Sequence, residues 1–339
     1  MKEYVEKLKR KEDLTTQEIE SVMEHIMSGK APEQMVADWL LALNLKGPTI
    51  DEITGAARLL QRFYLSVQTS HPLVLDTCGT GGDKKHTFNI STITAFVVAG
   101  AGVVVAKHGN RSVSSKCGSA DLLEALGVNL DIDYHQLGPC LDQTGIVFLF
   151  AQKLHPAMKN VAPVRRALGV ETIFNILGPL INPARATHQL MGVYARDLVD
   201  PLAHVLQNLG LKKALVVHGS DGLDEVTTTG PTFVSEWNGR SVVSYEVDPR
   251  DLDIPLAPDE ALKGGDLKRN LYIAKEILDG VKGPRRDIVV LNAAYALYVA
   301  DYVQDVREGV RLANESIDSG KAKAKLEELV TFTRKSKTV

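Results

Sequence analysis

From residue 73 onward, short runs of β-branched and other apolar residues alternate with longer stretches of helical periodicity, and this alternation limits the possible folds more than any other feature. The predicted strands are 73–76, 103–107, 146–150, 189–192, 214–218 and 287–291. The predicted helices are 93–101, 119–126, 201–209, 267–278 and 292–302. This order is typical of a parallel sheet with helical crossovers. We therefore expect an α/β fold with a mostly parallel central sheet.

Residues 1 to about 65 carry helical signals only. Two stretches have the form of a capping box, Thr15-Thr16-Gln17-Glu18 and Thr49-Ile50-Asp51-Glu52, and apolar residues on one helical face follow each of them. Pro32 suits the first turn of a helix between the two. We predict a small all-helical domain over residues 1–66 and a larger α/β domain over residues 72–339.

The segment 162–182 interrupts the α/β pattern. It contains two prolines and an apolar, helix-like run over 170–177. We expect this segment to leave the sheet and return to the helical unit, so that about 164–183 joins the helical domain. Hinges near 67–72 and Pro163 would then flank a cleft between the domains.

Two weaker patterns lie in the second half of the chain. Apolar residues on both sides of Asn238-Gly239 indicate a pair of antiparallel strands. Residues 302–325 are expected to form an amphipathic charged helix, followed by a frayed basic tail.

Charge and cysteine content exclude several classes of protein. The 339-residue chain has a formal net charge of −3, which argues against a large nucleic-acid-binding surface. Its three cysteines, Cys78, Cys117 and Cys140, lack metal-type spacing and suit a reducing compartment. The N-terminus is charged, and no apolar stretch approaches the ~20 residues that a membrane span needs. We predict a cytoplasmic protein that binds neither nucleic acid nor membrane.

Three motifs suited to phosphate lie within residues 74–111. Gly79-Thr80-Gly81-Gly82-Asp83 can form an anion-binding nest of N–H groups, although a tight turn would also explain it. Asn89-Ile90-Ser91-Thr92 precedes an apolar helix and offers either a phosphate site or an ordinary cap. Lys107-His108-Gly109-Asn110-Arg111 places cations where open α/β sheets bind ligands, with a solvated basic turn as the alternative. Together the motifs favour a phosphate-binding site.

Two further motifs complete the candidate site. The stretch 218–225 ends in Asp224 and Glu225, and adjacent carboxylates suit Mg²⁺, although acidic loops are often merely solvated. Arg165 can bind a planar carboxylate through two hydrogen bonds, or it can be an ordinary surface arginine. The sequence shows no obvious pair of nucleophile and base, which favours catalysis by positioning.

These residues resemble the anthranilate phosphoribosyltransferase family, and the resemblance covers nearly the whole chain. Its motifs are 76–83, 87–92, 107–111, 118–127, 155–165, 174–183, 218–225, 264–266 and 287–294. Glu171, where many relatives place a basic or neutral residue, is a departure that lies outside these motifs. The resemblance implies a nucleoside-phosphorylase-like transferase fold, with a small helical and a larger α/β domain, and usually a homodimer.

The resemblance also implies an activity. The phosphoribosyl group would pass from 5-phosphoribosyl 1-diphosphate to anthranilate in tryptophan biosynthesis, with release of diphosphate, a need for Mg²⁺, and positioning by Lys107 and Arg165 in place of a single acid or base. The residues implied for phosphoribosyl diphosphate are Gly79, Gly82, Asp83, Thr87, Asn89, Ile90, Ser91, Thr92, Lys107, His108, Gly109, Asn110, Arg111, Ser112, Val113, Ser114, Ser115 and Ser119. The residues implied for anthranilate are Gly79, Asn110 and Arg165, with His108 and His155 as further candidates, and those implied for the metal are Ser91, Asp224 and Glu225.

Two alternative functions stay open at this point. A pyrimidine nucleoside phosphorylase shares the fold and would use phosphate and a nucleoside, so phosphorolysis of thymidine or uridine distinguishes it. A non-catalytic, nucleic-acid-binding relative should be basic and could lack Asn110 and Arg165, whereas this chain is slightly acidic and has both. A salt-dependent gel shift would reveal such binding.

Overall fold

The computed structural model describes residues 1–111 and 116–336. Before the first strand lie the helices α1 (Lys2–Lys9), α2 (Thr16–Met27), α3 (Glu33–Lys46) and α4 (Ile50–Leu60). Both predicted capping boxes are present, because the side chains of Thr15 and Thr49 each accept a hydrogen bond from the backbone N–H three residues on. In return, the backbone N–H of each threonine donates to the side chain of Glu18 or Glu52. The apolar faces of these helices meet around Trp39, which is fully buried.

The strands are β1 (Leu75–Asp76), β2 (Val105–Gly109), β3 (Ile146–Phe150), β4 (His188–Gly192), β5 (Lys213–Gly219), β6 (Thr232–Trp237) and β7 (Val242–Val247). Within the described residues they form one seven-stranded sheet in the order β3-β2-β1-β4-β5-β6-β7. Strands β1 to β5 are parallel, and β6 and β7 are antiparallel additions joined around Asn238-Gly239. The predicted fold class, a helical domain with a mostly parallel α/β domain, is confirmed.

Helices pack on both faces of this sheet. The helices that follow the first strand are α5 (Ile90–Ala101), α6 (Ser119–Ala125), α7 (Leu137–Thr144), α8 (Ala151–Leu154), α9 (Ala162–Leu168), α10 (Phe174–Leu177), α11 (Val199–Asn208), α12 (Leu267–Leu278), α13 (Pro284–Val299), α14 (Val306–Asp318) and α15 (Lys321–Lys335). Successive side chains of β5 point to opposite faces of the sheet. Leu215 packs into one buried cluster and Val216 into the other, so both faces of the sheet are covered. None of the described helices is both long and apolar enough to cross a membrane.

Two sequence predictions were wrong. The run 287–291 is not a strand but lies inside α13, which also contains most of the predicted helix 292–302. Its residues are buried on nearly every side, and periodicity cannot separate a short buried strand from a buried helix. Instead of one helix over 302–325 with a frayed tail, the structure has α14 and α15, separated at Gly320 with its φ of 77°, and α15 continues to Lys335 and buries Leu329.

The segment between β3 and β4 packs against the N-terminal helices. Val164 of α9 and Phe174 of α10 share a buried cluster with Trp39, although only Phe174–Leu177 of the helix-like run 170–177 is helical. Pro163 lies in the first turn of α9, where its missing N–H costs little. On these contacts we propose that about 164–183 moves with the helical domain.

Candidate active site

The candidate site lies at the carboxyl ends of parallel strands. Asp76 ends β1, Lys107 and His108 lie in the second half of β2, and the acidic loop follows β5. Ligands of open α/β sheets bind at this edge, where loops from neighbouring strands converge. The sheet therefore brings together residues that are more than a hundred positions apart in sequence.

The glycine bend 79–83 rests on β4 and on the acidic loop. The backbone N–H of Thr80 donates to the carbonyl of Gly192 at 2.9 Å, and that of Gly81 donates to Oδ2 of Asp224 at 2.9 Å. A Cβ on Gly79 would lie 2.8 Å from the carbonyl oxygen of Gly192. Gly82 has a φ of 82°, which strains other residues. The bend thus needs its glycines for close approach and for backbone conformation.

The N-terminus of α5 has no side-chain cap. Asn89 precedes the helix but its side chain does not cap it; Nδ2 donates to the carbonyl of Cys117 at 3.1 Å, and Oδ1 is buried without a partner among the described residues. The N–H of Ser91 donates to Oε1 of Glu225 at 3.0 Å. Helix N-termini favour anions, so this end can bind a phosphate group. It can also bind a carboxylate that is itself a ligand of a metal ion.

Lys107 is a buried cation beside that helix end. Its side chain is 4% exposed, and Nζ donates to the carbonyl of Thr77 and to Oγ of Ser91, both at 3.2 Å. Among the described residues Lys107 forms no ion pair. A buried ammonium is costly without an opposite charge. The position therefore favours an anionic ligand.

Asp76 is a structural carboxylate close to the lysine. It accepts hydrogen bonds from the N–H of His108 at 3.1 Å and from Nδ2 of Asn182 at 2.7 Å. Burial raises its pKa to about 6, while the charge of Lys107 acts in the opposite direction. Asp76 thereby joins the ends of β1 and β2 to the segment that carries Asn182.

Three carboxylates meet on the other side of the bend. Burial, with Asp83 and Glu225 as neighbours, raises the pKa of Asp224 well above its usual value. Burial also raises the pKa of Glu225 to about 7, although Lys107 opposes the change. Oδ2 of Asp83 is buried and has no partner among the described residues. Two adjacent carboxylates that resist ionisation, Asp224 and Glu225, with a third carboxylate beside them, fit a hard cation with oxygen ligands.

Arg165 lies on α9, in the segment that faces the sheet from the helical side. Its Nη2 donates to Oδ1 of Asn175 at 3.3 Å, and its guanidinium lies 5.6 Å from the ring centre of Phe174. Burial lowers its pKa, and Arg165 forms no ion pair with the described residues. The guanidinium is thus a second cation for which the described residues supply no counter-ion.

His108 and His155 form a buried pair. Their Nε2 atoms lie 2.9 Å apart, and Nδ1 of His108 lies 3.1 Å from the carbonyl oxygen of Gly178. Burial lowers the pKa of His108 to about 3 and that of His155 to about 4, so both rings are neutral near pH 7. Both ring nitrogens of His108 are therefore engaged inside the protein.

The end of the basic motif turns toward α6. Arg111 pairs with Asp121 at 2.8 Å and with Glu124 at 2.5 Å, and the hydroxyl of Ser119 donates to the carbonyl of Asn110 at 3.1 Å. Ser112, Val113, Ser114 and Ser115, which the resemblance implied for phosphoribosyl diphosphate, lie outside the described residues. Both carboxylates bind Arg111 through Nη1, so they restrain its guanidinium beside α6.

The remaining predicted residues surround the bend. Gly82 is exposed, Thr87 pairs through its backbone with Lys263, and Gly109 forms the end of β2. Ile90 and Thr92 are buried in the first turn of α5, so they offer a ligand their backbone more readily than their side chains. Together with the residues above, they line one edge of the sheet.

Sequence reasoning missed three residues that organise the site. Thr77 receives the ammonium of Lys107, Asn182 ties Asp76 to the carbonyl of Ala106, and Gly178 accepts from His108. Thr77 and Gly178 act through their own backbone carbonyls, which carry no residue-type signal. Asn182 had a weak signal, since it is a polar residue within an apolar, proline-containing stretch.

Two other features do not add to the site. Asp76, Cys78 and His108 lie close enough to share a metal, but both oxygens of Asp76 and both ring nitrogens of His108 are already hydrogen-bonded. Burial also raises the pKa of the Cys78 thiol. A cavity of about 420 Å³ beside β3 is lined mostly by apolar residues such as Leu130 and Phe150, and it contains none of the predicted site residues.

Family models and relatives agree with this architecture. Residues 2–63 match the helical bundle domain of a glycosyl transferase family, and residues 71–323 match the α/β domain of the same family. Fold and site thus define a glycosyl transferase built from these two domains. The anthranilate phosphoribosyltransferase of Symbiobacterium thermophilum is 53% identical over 335 residues, which are 99% of this chain and 98% of that protein. This chain belongs to the anthranilate phosphoribosyltransferase family.

Solved structures resemble the chain over its whole length. The crystal structure of anthranilate phosphoribosyltransferase from Thermus thermophilus has a TM-score of 0.93 and 42% identity, and the match covers 98% of this chain and 99% of that chain. The enzyme from Saccharomyces cerevisiae in complex with PRPP and Mg has a TM-score of 0.91 and 27% identity, covering 98% and 97% respectively.

Proposed function

We propose that this protein transfers the phosphoribosyl group from 5-phosphoribosyl 1-diphosphate to the amino group of anthranilate, in tryptophan biosynthesis. The products are N-(5-phosphoribosyl)anthranilate and diphosphate. The relatives described above carry this name, and one of them was solved with PRPP and Mg. The observation that carries the proposal is Lys107, a buried cation that donates to Thr77, just before the glycine bend, and to Ser91 at the N-terminus of α5, with no ion pair among the described residues.

The diphosphate would lie between the bend and that helix end. Backbone N–H groups of 79–83, the first turn of α5 and the ammonium of Lys107 all favour anionic oxygens there. Arg111 would add a further cation after leaving Asp121 and Glu124. This assignment uses both cations of the basic motif at the carboxyl edge of the sheet.

Mg²⁺ fits the acidic side of the same site. Its ligands would come from Asp224 and Glu225, with Asp83 and Ser91 adjacent, and the unpartnered Oδ2 of Asp83 within the described residues supports this choice. When bound, the ion supplies positive charge that stabilises the departing diphosphate. Asp224 and Glu225 already hold the bend and α5 through N–H bonds, so the protein positions both sides of the diphosphate.

Arg165 would bind the carboxylate of anthranilate. A guanidinium forms two parallel hydrogen bonds with a carboxylate, which also fixes the direction of the ring. The aromatic amine is largely unprotonated near neutral pH, so displacement at the anomeric carbon needs no strong base. The protein contributes mainly by aligning two substrates and by stabilising charge on the leaving group.

Assembly and location belong to the same proposal. Leu41 and Leu45 are exposed at adjacent turns of α3, with Leu45 80% exposed, which supports a homodimer through the helical domain. A reducing cytoplasm suits the three free cysteines, two of which are buried.

Loss of anthranilate fluorescence tests the function directly. Protein, 5-phosphoribosyl 1-diphosphate, Mg²⁺ and anthranilate are mixed, and fluorescence is followed with time. A Mg²⁺-dependent decrease, with stoichiometric release of diphosphate, is expected. A stable signal, together with phosphorolysis of thymidine or uridine, would instead establish a nucleoside phosphorylase.

A further inference from the structure

Asn292 of α13 is a fully buried amide that binds the backbone of the acidic loop. Its Oδ1 accepts a hydrogen bond from the N–H of Val226 at 2.9 Å, and its Nδ2 donates to the carbonyl of Val226 at 2.8 Å. Nδ2 also donates to the carbonyl of Ile288, one turn earlier in the same helix, at 2.9 Å. Because an N–H must meet an acceptor and a carbonyl must meet a donor, these three contacts define the orientation of the amide.

The residue that Asn292 holds directly follows the acidic pair, Asp224 and Glu225. Val226 is 1% exposed, so its N–H and its carbonyl are shielded from water and either would be costly if left unpaired. Asn292 satisfies both groups with one side chain, as a neighbouring strand would. The backbone of the loop is therefore fixed one residue after Glu225.

The last residue of β4 fixes the acidic pair from the other side. A Cβ on Gly192 would lie 1.6 Å from the carbonyl oxygen of Asp224, so the loop backbone passes directly against the strand end. Only glycine permits this approach. The acidic pair thus lies between Gly192 and Asn292, and from there its carboxylates reach the glycine bend and the N-terminus of α5.

We propose that Asn292 is a positioning residue for phosphoribosyl transfer, and that its hold on the backbone of Val226 sets where Asp224 and Glu225 present their carboxylates to the metal ion. The inference deepens the proposed function and rests on it. Asn292 lies behind the loop and acts through it, without contact with a ligand. This role accounts for the single carboxamide in the otherwise apolar and aromatic buried run 288–297 of α13, where a polar side chain is costly unless it is hydrogen-bonded.

Two variants separate the hydrogen bonds of Asn292 from its volume. Asn292→Ala removes the amide and leaves a cavity, whereas Asn292→Leu nearly restores the volume but offers neither a donor nor an acceptor. Ser316→Ala is the matched control, because the buried hydroxyl of Ser316 donates to the carbonyl of Val97 at 2.7 Å. The control removes a buried hydrogen bond to backbone in α5 and leaves the acidic loop unaltered. Thermal unfolding gives the temperature range in which every variant is folded.

The first readout is binding and needs no turnover. Calorimetry gives the dissociation constant of 5-phosphoribosyl 1-diphosphate with and without Mg²⁺, in the absence of anthranilate. Mg²⁺ should tighten binding to the wild type, and this gain should shrink by about fivefold or more in both Asn292 variants, as expected for the loss of two buried hydrogen bonds. Binding without Mg²⁺, and the gain in Ser316→Ala, should stay close to the wild-type values.

Two results of this comparison would overturn the inference while leaving the proposed function intact. One is an undiminished gain from Mg²⁺ in Asn292→Leu. The other is equal weakening of binding with and without Mg²⁺, because a merely structural role affects both states alike.

Hydrogen exchange of the wild type supplies a readout that depends on no variant. The amide of Val226 should exchange more slowly once 5-phosphoribosyl 1-diphosphate and Mg²⁺ are bound, because the metal then stabilises the loop that Asn292 holds. Unchanged exchange at Val226 would overturn the inference. Failure of the wild type to bind the sugar diphosphate would reject the inference and the proposed function together. Normal Mg²⁺-dependent binding without transfer to anthranilate would reject the proposed acceptor, and not the role of Asn292.

Discussion

Gly81 and Asp224 are joined by a hydrogen bond of 2.9 Å from a backbone N–H to a carboxylate oxygen, across 143 positions of sequence. The bond places the acidic loop directly against the glycine bend. Ser91 and Glu225 repeat the arrangement at the N-terminus of α5. The acidic pair therefore adjoins both proposed phosphate-binding elements, which is where a metal would meet a diphosphate.

Replacing this pair should weaken metal-dependent activity. In Asp224→Asn with Glu225→Gln, we expect transfer to fall on the order of 10²-fold at low Mg²⁺, because a metal contributes several kcal/mol to charge stabilisation. Activity should recover in part as Mg²⁺ is raised. Initial rates against Mg²⁺ concentration measure both effects, with the exposed Glu246→Gln as control. Full activity in the double variant would remove the pair from the metal site.

Arg165→Ala should affect anthranilate specifically. Loss of a charge-assisted pair costs roughly 2–4 kcal/mol, so kcat/KM for anthranilate should fall by about 30- to 1000-fold. The KM for 5-phosphoribosyl 1-diphosphate should change little. Arg166→Ala is the matched control, since Arg166 is the exposed neighbour on the same helix. Equal kinetics in the two variants would contradict the role of Arg165.

Glu124→Gln should improve the use of 5-phosphoribosyl 1-diphosphate. Glu124 holds Arg111 at 2.5 Å, and releasing it makes the guanidinium more available to the diphosphate. Since partly exposed ion pairs are worth about 1 kcal/mol or less, KM should fall by up to about fivefold. Steady-state kinetics compare this variant with Glu328→Gln, which alters a pair far from the site. A higher KM would show that Arg111 acts in its present position.

The histidine pair should make stability depend on pH. Burial lowers the pKa of His155 from 6.5 to about 4, so between these values the unfolded chain takes up a proton that the folded protein does not. This contribution to stability is complete above pH 6.5 and is lost as pH falls toward 4. One such group contributes a slope of ~1.4 kcal/mol per pH unit. Urea unfolding at pH 7 and pH 5 should show about 2 kcal/mol less acid destabilisation in His155→Gln than in the wild type.

Asp76 acts in the opposite direction in the same pH range. Its pKa is raised to about 6, so the folded protein retains a proton that the unfolded chain loses, and stability falls as pH rises. Asp76 is present in both the wild type and His155→Gln, so its contribution to the pH dependence of stability cancels when the two are compared. An identical pH dependence in the wild type and the variant would show that His155 is not held neutral.

Local signals in the sequence predicted much of this architecture. The capping boxes at Thr15 and Thr49, the strand 146–150 and the helix 267–278 depend on neighbouring residues, and the structure has all of them. The run 287–291 failed because a central helix surrounded by apolar neighbours has no polar face to reveal its period.

Tertiary contacts account for what the sequence could not predict. The lack of an ion pair at Lys107 among the described residues depends on where Asp76 and Glu225 point, and the contacts of His108 depend on where the chain places His155 and the carbonyl of Gly178. Neither relationship has a fixed spacing along the chain. The sequence alone identified Lys107 as a candidate cation, but it could not predict that this lysine is buried.

A crystal structure with 5-phosphoribosyl 1-diphosphate and Mg²⁺ tests the central claim most directly, namely that the diphosphate binds between the glycine bend and Lys107. The account predicts density for the diphosphate within hydrogen-bond distance of Nζ of Lys107 and of the N–H groups of 79–83, with the metal next to Asp224 and Glu225. Density for the sugar diphosphate elsewhere, for example in the cavity beside β3, would contradict it.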